Sequence, residues 1–310
     1  MGRFSSLFPV SWSEDGVSPE LALHGARSAV PTWNAAAEAA FALDVRARDA
    51  GAWTPWVPLA EWSPARRQSL NGRAPGIAIE TDTVLLDVPG DALQLRVRDG
   101  DPAVVRAVAV AAPRAGAYAA SAQPDEHSVD LIVPERTQYA VDGERGWCSP
   151  TSLAMLMAYY GRRYERADWV LDVERVAAGV YDARYGGTGN WAFNMAFAGT
   201  LGFTAFAAYL DHFEQARRFL RQAMPLAISF SWRAGELDDA PVEHTDGHLA
   251  VLRGMTSHGD PILNDPAHDA IRHVYPRAQL ERCWIEGSGG LAYVVVPHEL
   301  AHAAVDILAP

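Results

Sequence analysis

Gln138-Tyr-Ala-Val-Asp-Gly-Glu-Arg-Gly-Trp147-Cys148-Ser-Pro-Thr-Ser-Leu-Ala-Met-Leu-Met-Ala-Tyr-Tyr-Gly161 is the stretch on which the reading of the whole sequence turns. It opens polar and glycine-punctuated, then becomes apolar with helical spacing, so that Leu153, Leu156, Met157 and Tyr160 share one face. Ser149-Pro150 predicts a helix start, because proline in the first turn lacks only an N–H that has no partner there. Gly161 is the expected stop. Cys148 then sits at a helix N-terminus, where free N–H groups and the helix dipole favour thiolate over thiol. The competing reading is an inert buried thiol. The turn-into-helix setting favours a nucleophile.

Around that helix, 310 residues with 49% hydrophobic composition suffice for two domains. A formal net charge of −12 argues against a phosphate-binding surface, so no nucleic-acid partner is expected. All 26 basic residues are arginine, which excludes lysine-type phosphate loops and Schiff-base or pyridoxal chemistry. No apolar run reaches the roughly 18 residues of a membrane span. Met1 to Val10 lack the apolar core of a secretory signal, so a cytoplasmic protein with no membrane partner is expected. Cys148 and Cys283 form neither a metal spacing nor a disulfide framework.

Residues 1–120 read as a β-sandwich or jelly roll. Alternating runs at Phe41–Arg48, Thr83–Val88, Ala92–Arg98 and Val104–Val110 are separated by turn signals such as Asp49-Ala-Gly51, Pro89-Gly-Asp91 and Asp99-Gly-Asp-Pro102. Trp12, Trp33, Trp53, Trp56 and Trp62 are expected mainly as core, with a glycan contact as the alternative. Residues 121–134 read as a linker and 135–310 as an α+β domain. Its expected helices are Trp169–Ala178, Trp191–Leu201 and Phe213–Ala223, and Gly186 to Gly189 should turn the chain near the cleft. The expected strands are Pro225–Ser231, Gly247–Met255, Pro261–Asp265 and Gly290–Pro297.

The chemistry follows from three residue types in order. His248 heads a strand after Gly247, and Asp265 ends the next strand, where adjacent antiparallel strands bring side chains within reach. Cys148 would attack a carbonyl carbon, His248 would carry the proton, and Asp265 would orient the ring. Gln138 and the Cys148 N–H are the candidate oxyanion donors. Taken singly, each has a structural alternative: a lone histidine in a core, or Asn-Asp-Pro as an ordinary turn.

Gln138 and Trp147-Cys-Ser-Pro-Thr-Ser-Leu-Ala-Met155, then Asp246-Gly-His248-Leu-Ala-Val251, then Leu263-Asn-Asp265-Pro266 resemble the cysteine-peptidase family 39-like domain over roughly residues 130–297. Gly189-Asn-Trp191 and Val274-Tyr-Pro-Arg277 through Trp284 resemble its bacterial subtype with an N-terminal β-domain. The resemblance implies a papain-like fold related to double-glycine leader peptidases, with Cys148, His248 and Asp265 as triad and Gln138 as oxyanion donor. It implies a peptide or peptide-like substrate and no cofactor. Asp142 to Gly146 reads as an inserted loop between Gln138 and Cys148.

Two metal motifs compete. His298-Glu-Leu-Ala-His302 has the spacing of zinc peptidases, but few residues follow to supply a third ligand, so a solvated terminal helix is expected. His244, Asp246 and His248 are a weaker alternative. No metal is therefore expected. A catalytically silent peptidase-like binding protein remains the opposing class.

Overall fold

The computed structural model describes residues 3–49, 51–113, 128–139, 141 and 146–309. Positions 121–127 of the expected linker and 142–145 of the expected inserted loop lie outside them.

Along the chain the strands are β1 (Arg3–Leu7), β2 (Leu21–Ala35), β3 (Phe41–Asp49), β4 (Ala52–Trp53), β5 (Val57–Trp62), β6 (Arg67–Ser69), β7 (Arg73–Ala74), β8 (Ile77–Glu80), β9 (Thr83–Asp99), β10 (Val105–Ala112) and β11 (Val129–Asp130). There follow helices α1 (Cys148–Arg163), α2 (Val173–Val180) and α3 (Trp191–Thr200), strand β12 (Phe203–Tyr209), helix α4 (Phe213–Arg221), and strands β13 (Leu226–Trp232), β14 (Thr245–Met255), β15 (Pro261–Asn264) and β16 (Arg272–Val274). Helix α5 (Arg277–Glu281), strand β17 (Leu291–Pro297) and helix α6 (Ala301–Leu308) close the chain. No described helix is long and apolar enough to cross a membrane.

The chain divides into two compact units. One joins Gly2–Ala115 to Gly179–Ala207; the other joins Gly116–Ala178 to Ala208–Pro310. In the first, strands β1 to β10 form one connected antiparallel sheet in the order β1-β10-β2-β9-β3-β5-β6, with β4 on β3 and β7 reaching β9 through β8. The sequence suggests a turn at Pro89-Gly-Asp91, yet β9 runs straight through it. The physical reason is a bulge: pairing with β2 shifts register on either side of Ala26↔Gly90, so Pro89 need not supply a ladder N–H. A Cβ on Gly90 would lie 2.6 Å from Leu86 and 2.9 Å from Leu23, so the glycine lets two core leucines close over the strand.

Trp33 and Trp62 are buried in this core and meet Phe193 of α3 edge-to-face at 6.0 and 5.6 Å. Trp53 and Trp56 instead both stack against the Arg46 guanidinium, at 4.4 and 4.5 Å. The Gly179–Ala207 excursion is fixed to the strands by buried carboxylates. Asp182 accepts the N–H groups of Ser69, Arg184 and Tyr185 and the Asn190 side-chain amide. Asp82 accepts the Trp191 N–H at 2.6 Å. Gly186 (φ 72°) turns the chain back so that Asp182 pairs with Gly187, ahead of the Asn190 N-cap of α3.

Burial pushes the Asp82 carboxyl up to about 6, against the Trp191 N–H and with help from the nearby Asp182 charge. The folded value lies above the unfolded one of 3.8, so the folded state holds the proton longer and stability falls as pH rises between the two. Asp82→Asn is expected to flatten that slope and to raise stability near neutral pH by about 1–3 kcal/mol. Melting curves across this acid range check it; an unchanged slope contradicts it.

In the second unit the strand order is β17-β13-β14-β15-β16, with β11 pairing the far end of β14. Helix α1 is almost wholly buried and packs on this sheet. Gly161 is not its stop: the helix runs on to Arg163. A Cβ at Gly161 would lie 2.7 Å from Val170 and 2.9 Å from the Arg166 carbonyl, so the glycine admits the returning chain rather than ending the helix.

Candidate active site

Cys148 is the first residue of α1, reached through Gly146 at φ 85°. Polar contacts hook the N-terminal turns of α1 onto the sheet. Ser149 Oγ lies 2.9 Å from Tyr293 Oη on β17, and Ser152 Oγ donates to the Leu249 carbonyl on β14 at 3.2 Å. The thiol is thereby held in hydrogen-bonding contact with His248 and with the Leu249 N–H.

His248 is buried on β14 opposite Phe230 of β13. The edges and faces of Phe230 and Trp232 confine its ring, with centroids at 5.4 and 5.7 Å and planes nearly perpendicular. Its Nε2 lies 2.7 Å from Asp265 Oδ1, which leaves Nδ1 for the thiol. Asp265 follows β15 directly and is fully buried. Its Oδ1 also accepts the Ala267 N–H at 2.9 Å, and Oδ2 accepts the Tyr275 hydroxyl at 2.8 Å. The carboxylate is therefore satisfied on both oxygens, as a buried charge requires.

Burial works against the Cys148 thiolate, but the hydrogen-bonded His248 cation and the Leu249 N–H outweigh it and hold the thiol below its ordinary 9.0. Burial likewise opposes a charged His248, while the Asp265 carboxylate and the thiolate push the imidazole up to about 10. Burial would raise Asp265, yet His248, the Ala267 N–H and the Tyr275 hydroxyl bring it below the usual range. The three groups titrate together and favour thiolate beside imidazolium. Such an arrangement can deliver a sulfur nucleophile to a carbonyl carbon and a proton to the group that leaves it.

The Peptidase_C39 like family matches residues 117–291, more than half of the chain, and the Peptidase C39 N-terminal domain matches residues 14–112. The chain belongs to the Peptidase_C39 like family. A solved structure described as a "putative C39-like peptidase from Bacillus anthracis" is 19% identical, covering 56% of this chain and 98% of its own, with a TM-score of 0.41. No curated protein matches.

In this C39-like chain, His248 and Asp265 meet at 2.7 Å, and the Cys148 thiol interacts with the same imidazole. Gln138 is buried, and its N–H donates to the Pro266 carbonyl at 2.9 Å, beside Asp265. Its Oε1 has no hydrogen-bond partner, and no described contact joins its side chain to Cys148. Tyr275, Phe230 and Trp232 are supporting residues that sequence reading missed. Tyr275 lies within the Val274-Tyr-Pro-Arg stretch but carries no signal of its own, because its partner Asp265 is defined only by the pairing of β15 with β16.

The zinc-peptidase spacing is divided between elements: His298–Leu300 form a 3₁₀ turn and α6 starts at Ala301. Neither it nor His244, Asp246 and His248 forms a metal-sized cluster among the described residues. Asp239, His268 and His273 do. Cys283 is buried, and burial beside Glu236 pushes its thiol up to about 11, so it has none of the Cys148 chemistry.

Proposed function

We propose that this chain is a cysteine hydrolase that cleaves a peptide or related amide bond through a thioester, in a papain-like arrangement of helix-borne cysteine and sheet-borne histidine and aspartate. The observation that carries the reading is the 2.7 Å bond between His248 and Asp265, with the Cys148 thiol interacting with the same imidazole. Cys148 Sγ attacks the scissile carbonyl and His248 protonates the departing amine, giving a thioester on sulfur. Neutral His248 then takes a proton from water, whose oxygen attacks the thioester; the carboxylic acid product leaves, sulfur departs as thiolate, and the thiolate–imidazolium pair is restored. Asp265 and its Tyr275 and Ala267 donors keep the ring oriented through both steps. The Cys148 N–H, at the free end of α1, and the Gln138 side chain are proposed to hold the oxyanion, the latter after rotation of its carboxamide.

An electrophilic peptide probe is expected to label Cys148 and not Cys283, as mapped by mass spectrometry. No labelling of Cys148 in folded protein would favour the silent binding protein instead. For a cleaved peptide, kcat/KM is expected to rise with thiol ionisation below the ordinary 9.0 and to fall near pH 10, where His248 loses its proton. An alkaline limb near the ordinary histidine value contradicts the assigned pair.

A further inference from the structure

Asp239 lies in the loop between β13 and β14, His268 in the turn after Asp265, and His273 on β16. The Nε2 atoms of both histidines point at the same oxygen, Asp239 Oδ2, at 3.6 and 3.5 Å. Those distances exceed a good hydrogen bond, so the three groups converge without satisfying one another. They do match the spacing between ligands on one cation: bonds of about 2.0–2.1 Å in a tetrahedral zinc site set its ligand atoms about 3.3 Å apart. All three ligand atoms lie within 4.8 Å of each other.

We propose that Asp239, His268 and His273 bind a divalent transition metal of the zinc class, and that the metal ties the turn carrying Asp265 to the β13–β14 loop. Two imidazoles and one carboxylate are a donor set suited to such a cation, with the fourth position left to water. The two histidine side chains are 15% exposed and stacked at 4.1 Å between centroids, whereas Asp239 is 74% exposed. Shielded nitrogens behind an exposed carboxylate give the ion an open path. His268 Nδ1 accepts the Ala270 N–H at 3.0 Å, so its proton rests on Nε2. On binding, that proton moves to Nδ1, and the exposed Ala270 N–H turns to water. The consequence reaches the candidate catalytic residues: His273 packs on Tyr275 at 4.5 Å, and Tyr275 bonds Asp265.

The test uses the whole chain carrying Cys148→Ala, so that no thiolate of the candidate active site competes for metal. Calorimetric titration with zinc chloride is expected to show about one equivalent bound, with His268→Ala and His273→Ala each weakening it at least about tenfold. Cobalt in the same protein should give visible absorption of a tetrahedral ion without a thiolate-to-metal band. Absence of binding, or a thiolate band pointing to Cys283, overturns the proposal. So does unchanged affinity in Asp239→Ala, a loop variant that stays informative if the histidine variants misfold.

Discussion

Cys148→Ala is expected to lower kcat/KM for a cleaved peptide by at least about 10⁴-fold, with His248→Ala falling to a similar floor. The two act as one unit, since the thiol owes its lowered pKa to the imidazole and the imidazole its raised one partly to the thiolate. The double variant should therefore be little worse than either single one. Stability separates this from misfolding. Cys148 is half-buried, so its alanine variant should melt close to the parent, within about 1 kcal/mol. Cys283→Ala, whose thiol contacts the Glu236 carbonyl rather than His248, should retain turnover. Steady-state kinetics with melting curves checks all four proteins, and substantial turnover in Cys148→Ala contradicts the reading.

Asp265→Ala is expected to cost both folding and chemistry. The change leaves the His248 Nε2–H, the Tyr275 hydroxyl and the Ala267 N–H without their common acceptor inside the protein. Breaking a buried pair of this kind costs about 3–5 kcal/mol, a large share of a typical domain's stability. The pH dependence carries a signature. Asp265 is lowered when folded, so its contribution is present above 3.8 and lost as pH falls through the lower folded value. His248 is raised from 6.5 to about 10, so its contribution is present below 6.5 and lost as pH rises between the two. The variant should lose the alkaline decline along with the stability, whereas Asp265→Asn keeps an acceptor for Nε2–H and should lose less. Denaturant melts across this pH range decide it; a variant as stable as the parent contradicts the described network.

Much of this site was legible because its parts follow local rules. The apolar face from Leu153 to Tyr160 and the Ser149-Pro150 start define α1, and His248 lies on β14 while Asp265 directly follows β15, strands adjacent in sequence and space. What was not legible depends on distant partners. Strand β2 escapes an alternation test because residues 29–35 are all buried, on both faces. Helix α3 reads as part of the second domain by sequence position, yet Asn34 holds the Met195 and Ala205 carbonyls by its amide and the Ala205 N–H by its oxygen. A Cβ at Gly199 would lie 2.7 Å from Asn34. A truncation near Ser121 would thus remove the core on which Phe193 packs, although it retains all the candidate catalytic residues. The Asp239, His268 and His273 cluster has no sequence spacing to betray it, because a hairpin and a separate loop supply its members.

The central claim is that Cys148 and His248 form one ionised pair, and the rate of iodoacetamide modification of Cys148 against pH tests it most directly. In the parent protein the rate should rise well below the pH that an ordinary thiol requires, because the neighbouring imidazolium stabilises the thiolate. In His248→Ala the profile should move up toward that of a free cysteine, with Cys283 slow throughout in both proteins. Coincident profiles for Cys148 in the two proteins would mean that His248 does not set the state of the sulfur, and the proposed mechanism would fall.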